Sequence, residues 1–266
     1  GNTFKALCKA YKRIIGIRNA NGSIQSKTEA DAVTAFVEKM VTPWASLPFF
    51  FKPIHSNSSF PRSEGFKFMP MSKKGAIALG DTINPDDFLF SKITPYGSKE
   101  TAVDGTKQHI HVSDEDGKFI DGDCWDRHIV VKPCLTQDGG IIGKEICTTT
   151  VEDMEKGGGL RFWYKWLMSD RNPDREADKK TVSDDGETVS GLWPWFCPAS
   201  ANEVPDKFGC AIIDEPTDKQ KKWLKEVKKD RRWELGGKQR IKQMVAQQKT
   251  QLDQQRVMRK YPEEVR

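Results

Sequence analysis

Segments with helical periodicity alternate with segments of strand composition through most of the chain, and this alternation constrains the fold more than any other feature. Apolar side chains at helical spacing predict a helix over residues 4–15. Thr28 offers a cap for a second helix, which we expect to end before Pro43. Strands are expected at 23–26, 107–113 and 143–149. Strands separated by helices predict an α/β domain with a mainly parallel sheet flanked by helices.

A change in composition after Pro216 marks a second part of the chain. Residues 217–266 contain 16 Lys and Arg against 7 Asp and Glu, a net charge of +9, although the whole chain carries only +5. We therefore expect one domain at 1–216 and a basic helical segment at 217–266, with two charged helices at about 217–234 and 238–260. A basic segment suits a polyanionic partner, and a solvated helical face accounts for it equally well.

The composition excludes several classes of protein. With 36% hydrophobic and 30% charged residues, the chain is neither disordered nor fibrous. No apolar run approaches the ~20 residues that cross a bilayer, and residues 1–5 lack the apolar core of a secretory signal. We therefore expect an intracellular chain without membrane contact. The six cysteines form no CxxC pair, which predicts reduced, mostly buried thiols.

The strand predicted at 107–113 runs directly into two adjacent acids, Asp114 and Glu115. In a nucleoside triphosphatase such a pair divides two tasks. The first carboxylate holds Mg²⁺, usually through water, and the second polarises the attacking water. An Asp-Glu pair also occurs by chance in most proteins of this size, so the pair by itself does not identify a site.

Three hydroxyl residues, Thr148, Thr149 and Thr150, lie at the end of the strand predicted at 143–149. Ligands of open parallel sheets bind at the carboxyl ends of the strands, so hydroxyls placed there can contact a terminal phosphate or its water. Threonine is also a good strand residue, which explains the run without any function.

The tripeptide Gly1-Asn2-Thr3 stands at the start of the first predicted helix. A phosphate-binding loop ends in Gly-Lys-Ser/Thr because backbone N–H groups cradle phosphate, the lysine neutralises its charge and the hydroxyl reaches Mg²⁺. Asn2 occupies the position of that lysine. The glycine-rich half of such a loop would precede Gly1.

In this order and at these separations, the segments resemble the ATPase region of the large terminase subunit of tailed bacteriophages, the motor that pumps DNA into the capsid. The family's later landmarks also have counterparts here, and together the matches span nearly the whole chain. The matching segments are 1–3, 22–29, 103–106, 114–115, 148–154, 190–193, 196–199 and 259–264.

The resemblance implies a P-loop NTPase-like fold for residues 1–216. It makes 217–266 a lid or linker toward a nuclease domain that would follow Arg266. It also implies that a glycine-rich loop precedes Gly1, and that the binding of the β- and γ-phosphates is weakened without that loop and with Asn2 in place of the lysine. Arg127 and Arg161 are candidates for an arginine that acts on the nucleotide of a neighbouring copy.

The same resemblance assigns roles to individual residues, with ATP and Mg²⁺ as cofactors. Asp114 and Glu115 match the catalytic acid pair, Asp114 as the metal ligand and Glu115 as the base. Gly1 and Thr3 match the phosphate loop, with the Thr3 hydroxyl on Mg²⁺. The run Thr148, Thr149 and Thr150 matches the coupling motif, which senses the γ-phosphate and relays hydrolysis to DNA movement.

The resemblance also implies partners and a location. The partners are double-stranded DNA, the portal protein, the small terminase subunit and further copies of the chain in a ring, without a membrane. The location is the host cell cytoplasm, with the protein docked on the viral procapsid during packaging.

Two other functions remain open at this stage. Asn2 favours a non-catalytic nucleic-acid-binding or scaffolding protein that keeps the α/β fold without a working phosphate loop. A metal-dependent nuclease that uses Asp114, Glu115 and His111 is the third possibility. His109 and His111 form a His-x-His pattern that can bind metal, but no further Cys or His lies nearby in the sequence.

The helix predicted after residue 157 carries a dense group of aromatic residues within 157–169. Aromatic clusters belong to cores more often than to contact surfaces, so we expect these rings to be buried against the sheet. The alternative is a contact surface in which Arg161 or Lys165 meets a neighbouring molecule.

Overall fold

The computed structural model describes residues 2–55, 60–69, 88–119, 122–150, 158–169, 190–208, 210–228 and 235–261. They belong to two units, Gly1–Leu192 and Trp193–Arg266. The predicted boundary after Pro216 falls inside the second unit, because Val204 and Ile212 pack with Leu224 in one small core. Within the described residues no helix combines the length and the apolarity needed to span a membrane.

One five-stranded sheet organises the first unit. Its strands are β1 (Asn21–Gln25), β2 (Phe66–Phe68), β3 (Ser91–Tyr96), β4 (Ile110–Asp114) and β7 (Lys144–Thr148). The order is β2-β3-β1-β4-β7, and every pair is parallel except β2 with β3. The predicted mainly parallel sheet with flanking helices is therefore confirmed, and the three predicted strands shift by one to three residues at their ends.

The helix α1 (Asn2–Ile15) covers one face of this sheet. Leu7 and Ile14 on its apolar stripe join Ile24 of β1 and Val112 of β4 in the main core. Because side chains alternate along a strand, the neighbours of Ile24 and Val112 point to the opposite face. The predicted helix at the start of the chain is confirmed.

The second helix runs further than the sequence predicted. Thr28 caps α2 (Glu29–Phe36) by accepting a hydrogen bond from the Asp31 N–H, as expected. The chain then continues through π-helical turns at Val37–Val41 into α3 (Thr42–Ala45). Pro43 lies in the first turn of α3, where a missing N–H costs nothing, so the expected end before Pro43 is wrong.

The opposite face of the sheet is served by α4 (Cys124–Cys134) and α5 (Gly158–Ser169), with the small hairpin of β5 (Thr136–Gln137) and β6 (Gly140–Ile141) after α4. All six cysteines are free thiols. Only Cys124 and Cys134 are buried, so the expectation of mostly buried thiols is wrong.

The described residues of the second unit form the helices α6 (Ser200–Glu203), α7 (Asp218–Lys228), α8 (Gly237–Ala246) and α9 (Gln251–Lys260). The helix predicted over 217–234 is confirmed for Asp218–Lys228, and residues 229–234 lie outside the described residues. The helix expected over 238–260 is interrupted because Thr250 adopts an extended backbone and caps α9 through the Asp253 N–H. The stretch around Thr250 is polar, with few apolar residues whose spacing could reveal where one helix ends and the next begins.

The aromatic residues of the main core generate a stability prediction. Phe66 is fully buried and meets the rings of Tyr11, Phe36, Trp44 and Phe68. We expect Phe66→Ala to lower the free energy of unfolding by about 3–5 kcal/mol, because it removes a ring and leaves a cavity. Denaturant unfolding measures the change.

A matched control lies in the same unit. Phe50 is 68% exposed, so Phe50→Ala should change the free energy of unfolding by no more than about 0.5 kcal/mol. Equal losses in the two variants would contradict the packing around Phe66.

Candidate functional site

Two hydroxyl groups converge on the carboxylate of Asp114 at the carboxyl edge of the sheet. Asp114 ends β4 and is paired in register with Thr148, the last residue of β7. Thr148 Oγ1 and Thr3 Oγ1 each donate a hydrogen bond of 2.7 Å to Asp114 Oδ1, and Thr3 comes from the first turn of α1. Three of the residues singled out in the sequence, from segments far apart in the chain, therefore meet at one oxygen.

The donors around Asp114 fit a magnesium ion. Asp114 is only 5% exposed, and the ammonium of Lys39 lies 3.9 Å from its second oxygen, Oδ2. Among the described residues no group of three or more His, Cys, Asp or Glu side chains is arranged to hold a metal. Mg²⁺ is commonly bound by one or two carboxylates together with substrate phosphates and water, and one carboxylate with two hydroxyls is a compatible set of oxygen ligands.

Glu115 follows Asp114 with a left-handed backbone (φ 56°, ψ 42°), the conformation that turns the chain sharply after the strand. Its Oε1 lies 3.0 Å from the ammonium of Lys118, and its Oε2 lies 3.3 Å from the ammonium of Lys27. Partial burial alone would raise the pKa of Glu115, but Lys118 and then Lys27 lower it below its usual value. Glu115 is therefore ionised at neutral pH.

The remaining predicted residues have different positions. Thr149 Oγ1 accepts a 3.1 Å hydrogen bond from the Gly117 N–H and donates one to the carbonyl oxygen of Thr150, which is exposed. Thr149 thus binds the turn that follows Glu115 rather than the Asp114 carboxylate. Gly1 lies outside the described residues, as do the predicted coupling-motif residues 151–154.

A buried acid that the sequence patterns did not single out, Asp116, lies next to the predicted pair. The side chain of Asp116 has no exposed surface. Its Oδ1 accepts hydrogen bonds from Ser113 Oγ at 2.5 Å and from Arg127 at 3.3 Å, and its Oδ2 accepts one from Lys165 Nζ at 2.7 Å. Three acids in a row after a strand were the only signal in the sequence, and nothing there distinguishes the buried one.

Lys165 joins this acid to a second buried carboxylate. Its ammonium lies 3.5 Å from Glu145 Oε1 and 3.1 Å from Cys147 Sγ on β7, and His128 Nδ1 lies 2.6 Å from Glu145 Oε2. Burial alone would lower the pKa of Lys165, but the charges of Asp116 and Glu145 raise it well above its usual value. Lys165 therefore stays charged inside the protein.

This network corrects the expectations for α5 and for the arginines. The aromatic residues of α5 are half-buried or exposed, whereas Lys165 is buried, so the predicted burial of the rings is wrong. Lys165 is 2% exposed and faces the sheet, so it is not part of the exposed surface of α5. Arg127 is 1% exposed and stacks over the Phe119 ring at 3.4 Å, so it cannot reach a neighbouring copy. Arg161 is exposed and pairs with Asp123.

The two histidines of the His-x-His pattern have separate partners. His109 Nδ1 accepts a hydrogen bond from the Asn21 N–H, and His111 Nδ1 lies 2.8 Å from Ser23 Oγ. His111 and Asp114 are three positions apart on β4 and thus point to opposite faces of the sheet. A metal shared by His111 and Asp114, as a nuclease site would require, does not fit this geometry.

No protein-family model and no curated protein matches this chain. The geometry that remains to be interpreted is a carboxylate that accepts two hydroxyl hydrogen bonds, an ionised acid beside it, and a buried charge network on the opposite face of the sheet.

The buried histidine predicts an acid-sensitive fold. Burial lowers the pKa of His111 to about 4 from its usual 6.5. The unfolded chain takes up this proton first, so stability is intact above pH 6.5 and falls as the pH drops toward 4, by roughly 3 kcal/mol. Denaturant unfolding between pH 7 and 4.5 measures the loss.

The variant His111→Asn should flatten this dependence, because it keeps a polar atom near Ser23 without the titrating ring. His109→Asn, at a half-buried position, serves as the control and should retain most of the slope. A slope that is the same in wild type and His111→Asn would exclude His111 as its source. Lys165 and His128 lower the pKa of Glu145 despite its burial. The loss of stability that comes from protonation of Glu145 is therefore added only at a lower pH.

Proposed function

We propose that this chain is the ATPase region of a phage large terminase, which couples Mg²⁺-dependent hydrolysis of ATP to the translocation of double-stranded DNA into a procapsid. The observation that carries the proposal is the convergence of the Thr3 and Thr148 hydroxyls on Asp114, with the ionised Glu115 next in the chain. A helix start, the end of one strand and the end of its neighbour supply these groups at the carboxyl edge of a parallel sheet, where such folds bind nucleotides.

The proposed chemistry divides the work among these side chains. Asp114, Thr3 and Thr148 would hold the Mg²⁺ that accompanies ATP, and the ion would neutralise charge on the phosphates. Glu115 orients the attacking water and receives its proton on a carboxylate oxygen. Because Lys118 and Lys27 each occupy one of these oxygens, one lysine has to release Glu115 for this step.

The proposed coupling runs from β7 to the turn after β4. The Gly117 N–H donates to Thr149 Oγ1, so the threonine run is tied to the segment that carries Glu115. Any shift of Thr148, Thr149 and Thr150 on hydrolysis would act on that turn through this hydrogen bond. This contact supports the proposed role of the three threonines.

The proposed partners follow from the same assignment. The net charge of +9 over residues 217–266 supports double-stranded DNA as a polyanionic partner that is bound without sequence readout. A ring of several copies, the portal protein and the small terminase subunit complete the proposed assembly, in the host cell cytoplasm on the procapsid.

Two substitutions test the acid pair. We expect Asp114→Asn to weaken the binding of Mg²⁺-ATP, because the ion would lose the one carboxylate among its proposed protein ligands. We expect Glu115→Gln to bind nucleotide but to lower turnover by about 100-fold or more, because the amide cannot take the proton. Calorimetry of Mg²⁺-ATP binding and phosphate release, with and without double-stranded DNA, provide the measurements.

Matched substitutions at exposed acids control for charge. Asp104→Asn and Glu226→Gln remove the same charge from exposed positions and should behave as wild type. The proposal fails if the wild-type chain binds no Mg²⁺-ATP, if Asp114→Asn binds it as tightly, or if Glu115→Gln retains full turnover.

The hydroxyl of Thr148 allows a separate test. Thr148→Val keeps the shape of the side chain but removes the hydrogen bond that orients Asp114 Oδ1. We expect the Mg²⁺ concentration for half-maximal turnover to rise by about tenfold or more, as for other residues that orient a metal ligand. Thr34→Val, at an exposed position on α2, is the control, and an equal Mg²⁺ requirement in both variants would contradict the role of Thr148.

A second candidate function is a non-catalytic nucleic-acid-binding or scaffolding protein. Asn2 in the lysine position of the phosphate loop and the pairing of both Glu115 oxygens with lysines favour it. Binding of double-stranded DNA by the wild-type chain without any binding or turnover of Mg²⁺-ATP would establish it.

A further inference from the structure

The backbone of Glu115 needs support that its own side chain does not supply. A left-handed residue other than glycine costs roughly 1–2 kcal/mol, so the surrounding structure must hold it in place. The Glu115 carboxylate pairs with Lys27 and Lys118, which are partly exposed, and its carbonyl oxygen accepts a 2.8 Å hydrogen bond from the Lys118 N–H. A buried contact for this turn comes from the next residue, Asp116.

Asp116 anchors this turn on the inner side. It begins the single 3₁₀ turn Asp116–Lys118, and its buried carboxylate binds Ser113, Arg127 and Lys165. The shortest of the two charged contacts, 2.7 Å, is the one to Lys165. A buried carboxylate without its cation carries a large desolvation penalty, so the position of the Lys165 ammonium determines the position of the Asp116 carboxylate.

Lys165 is in turn fixed by the contacts of its ammonium and by the packing of the helix that carries it. Its ammonium also contacts Glu145 and Cys147, which lie on β7 just before the threonine run. Its helix, α5, begins against the same turn: a Cβ added to Gly158 would stand 2.3 Å from the carbonyl oxygen of Gly117. The position of the turn is thus set by α5 and β7 together.

We propose that Lys165 is a positioning residue for Glu115, acting through Asp116 to hold the turn that aims the Glu115 carboxylate. Lys165 does not touch nucleotide or water in this role, since it is buried behind the turn. The inference rests on the proposed ATPase function for its kinetic consequence, but the anchoring of the turn can be measured without any turnover.

The main test replaces the ammonium with an uncharged group of similar length. In Lys165→Met we expect kcat for ATP to fall by about 100-fold with little change in KM, because a misplaced base slows the chemical step without weakening nucleotide binding. Amide hydrogen exchange of residues 115–118 should accelerate by at least about tenfold, while the amides of β1 are unchanged. Lys165→Arg, which keeps the charge, should recover part of both.

Controls separate a lost anchor from a lost fold. Lys132→Met removes an exposed lysine from the neighbouring helix α4 and should leave kcat and exchange as in wild type. If Lys165→Met does not fold, the double variant Asp116→Asn/Lys165→Met removes both buried charges together and carries the same expectations.

The outcomes distinguish this inference from the proposed function. Wild-type exchange at residues 115–118 in the folded lysine variants, or unchanged kcat in an active protein, would overturn the positioning role. A wild-type chain without turnover, combined with faster exchange at 115–118 in Lys165→Met, would end the proposed ATPase function but support Lys165 as the anchor of the turn. A loss confined to KM would assign Lys165 to nucleotide binding and would also overturn the proposal.

Discussion

Parallel pairing of β4 with β7 is the interaction on which the candidate site depends. The register that sets Asp114 beside Thr148 brings a carboxylate and a hydroxyl to the same edge without any contribution from the loops. The packing of α1 on Ile24 and Val112 adds Thr3 to the same oxygen. A slip of one residue in that register would turn Thr148 to the other face and separate it from Asp114.

The opposite face of the sheet carries an arrangement that a core built for stability alone would not need. Asp116, Glu145, Arg127 and Lys165 are all nearly inaccessible, and pairs of this kind often contribute less than apolar residues of the same volume. Their hydrogen bonds are directional, however, and they join α4, α5, β7 and the turn after β4 at defined atoms. This network therefore fixes the relative positions of those elements more strictly than apolar packing would.

The sequence predicted the main helices and strands of the first unit and the residues at the carboxyl edge of its sheet. The helix α1 and the strands β1, β4 and β7 follow from periodicity, and the rule that parallel strands end at one edge places Asp114 and Thr148 at the same edge. The place of Thr3 beside Asp114 was expected only from the family resemblance. The predictions at Pro43 and Thr250 were wrong because each residue stands at the start of a new helical segment. Pro43 lies in the first turn of α3, and Thr250 caps α9. The buried role of Lys165 was hidden for a different reason: a lysine among aromatic residues resembles a surface residue until its partners, 20 and 49 positions away, are known.

Three consecutive acids have different surroundings because the residue in the middle has a left-handed backbone. Asp114 ends a strand and points toward α1, Asp116 is buried among α4 and α5, and Glu115 between them is half-exposed. A regular strand would place Asp114 and Asp116 on the same face, so the left-handed residue is what sends them to different partners. Glycine or asparagine would adopt that conformation at lower cost. The stability of the turn therefore does not account for a glutamate at this position, whereas the proposed role of its ionised carboxylate does.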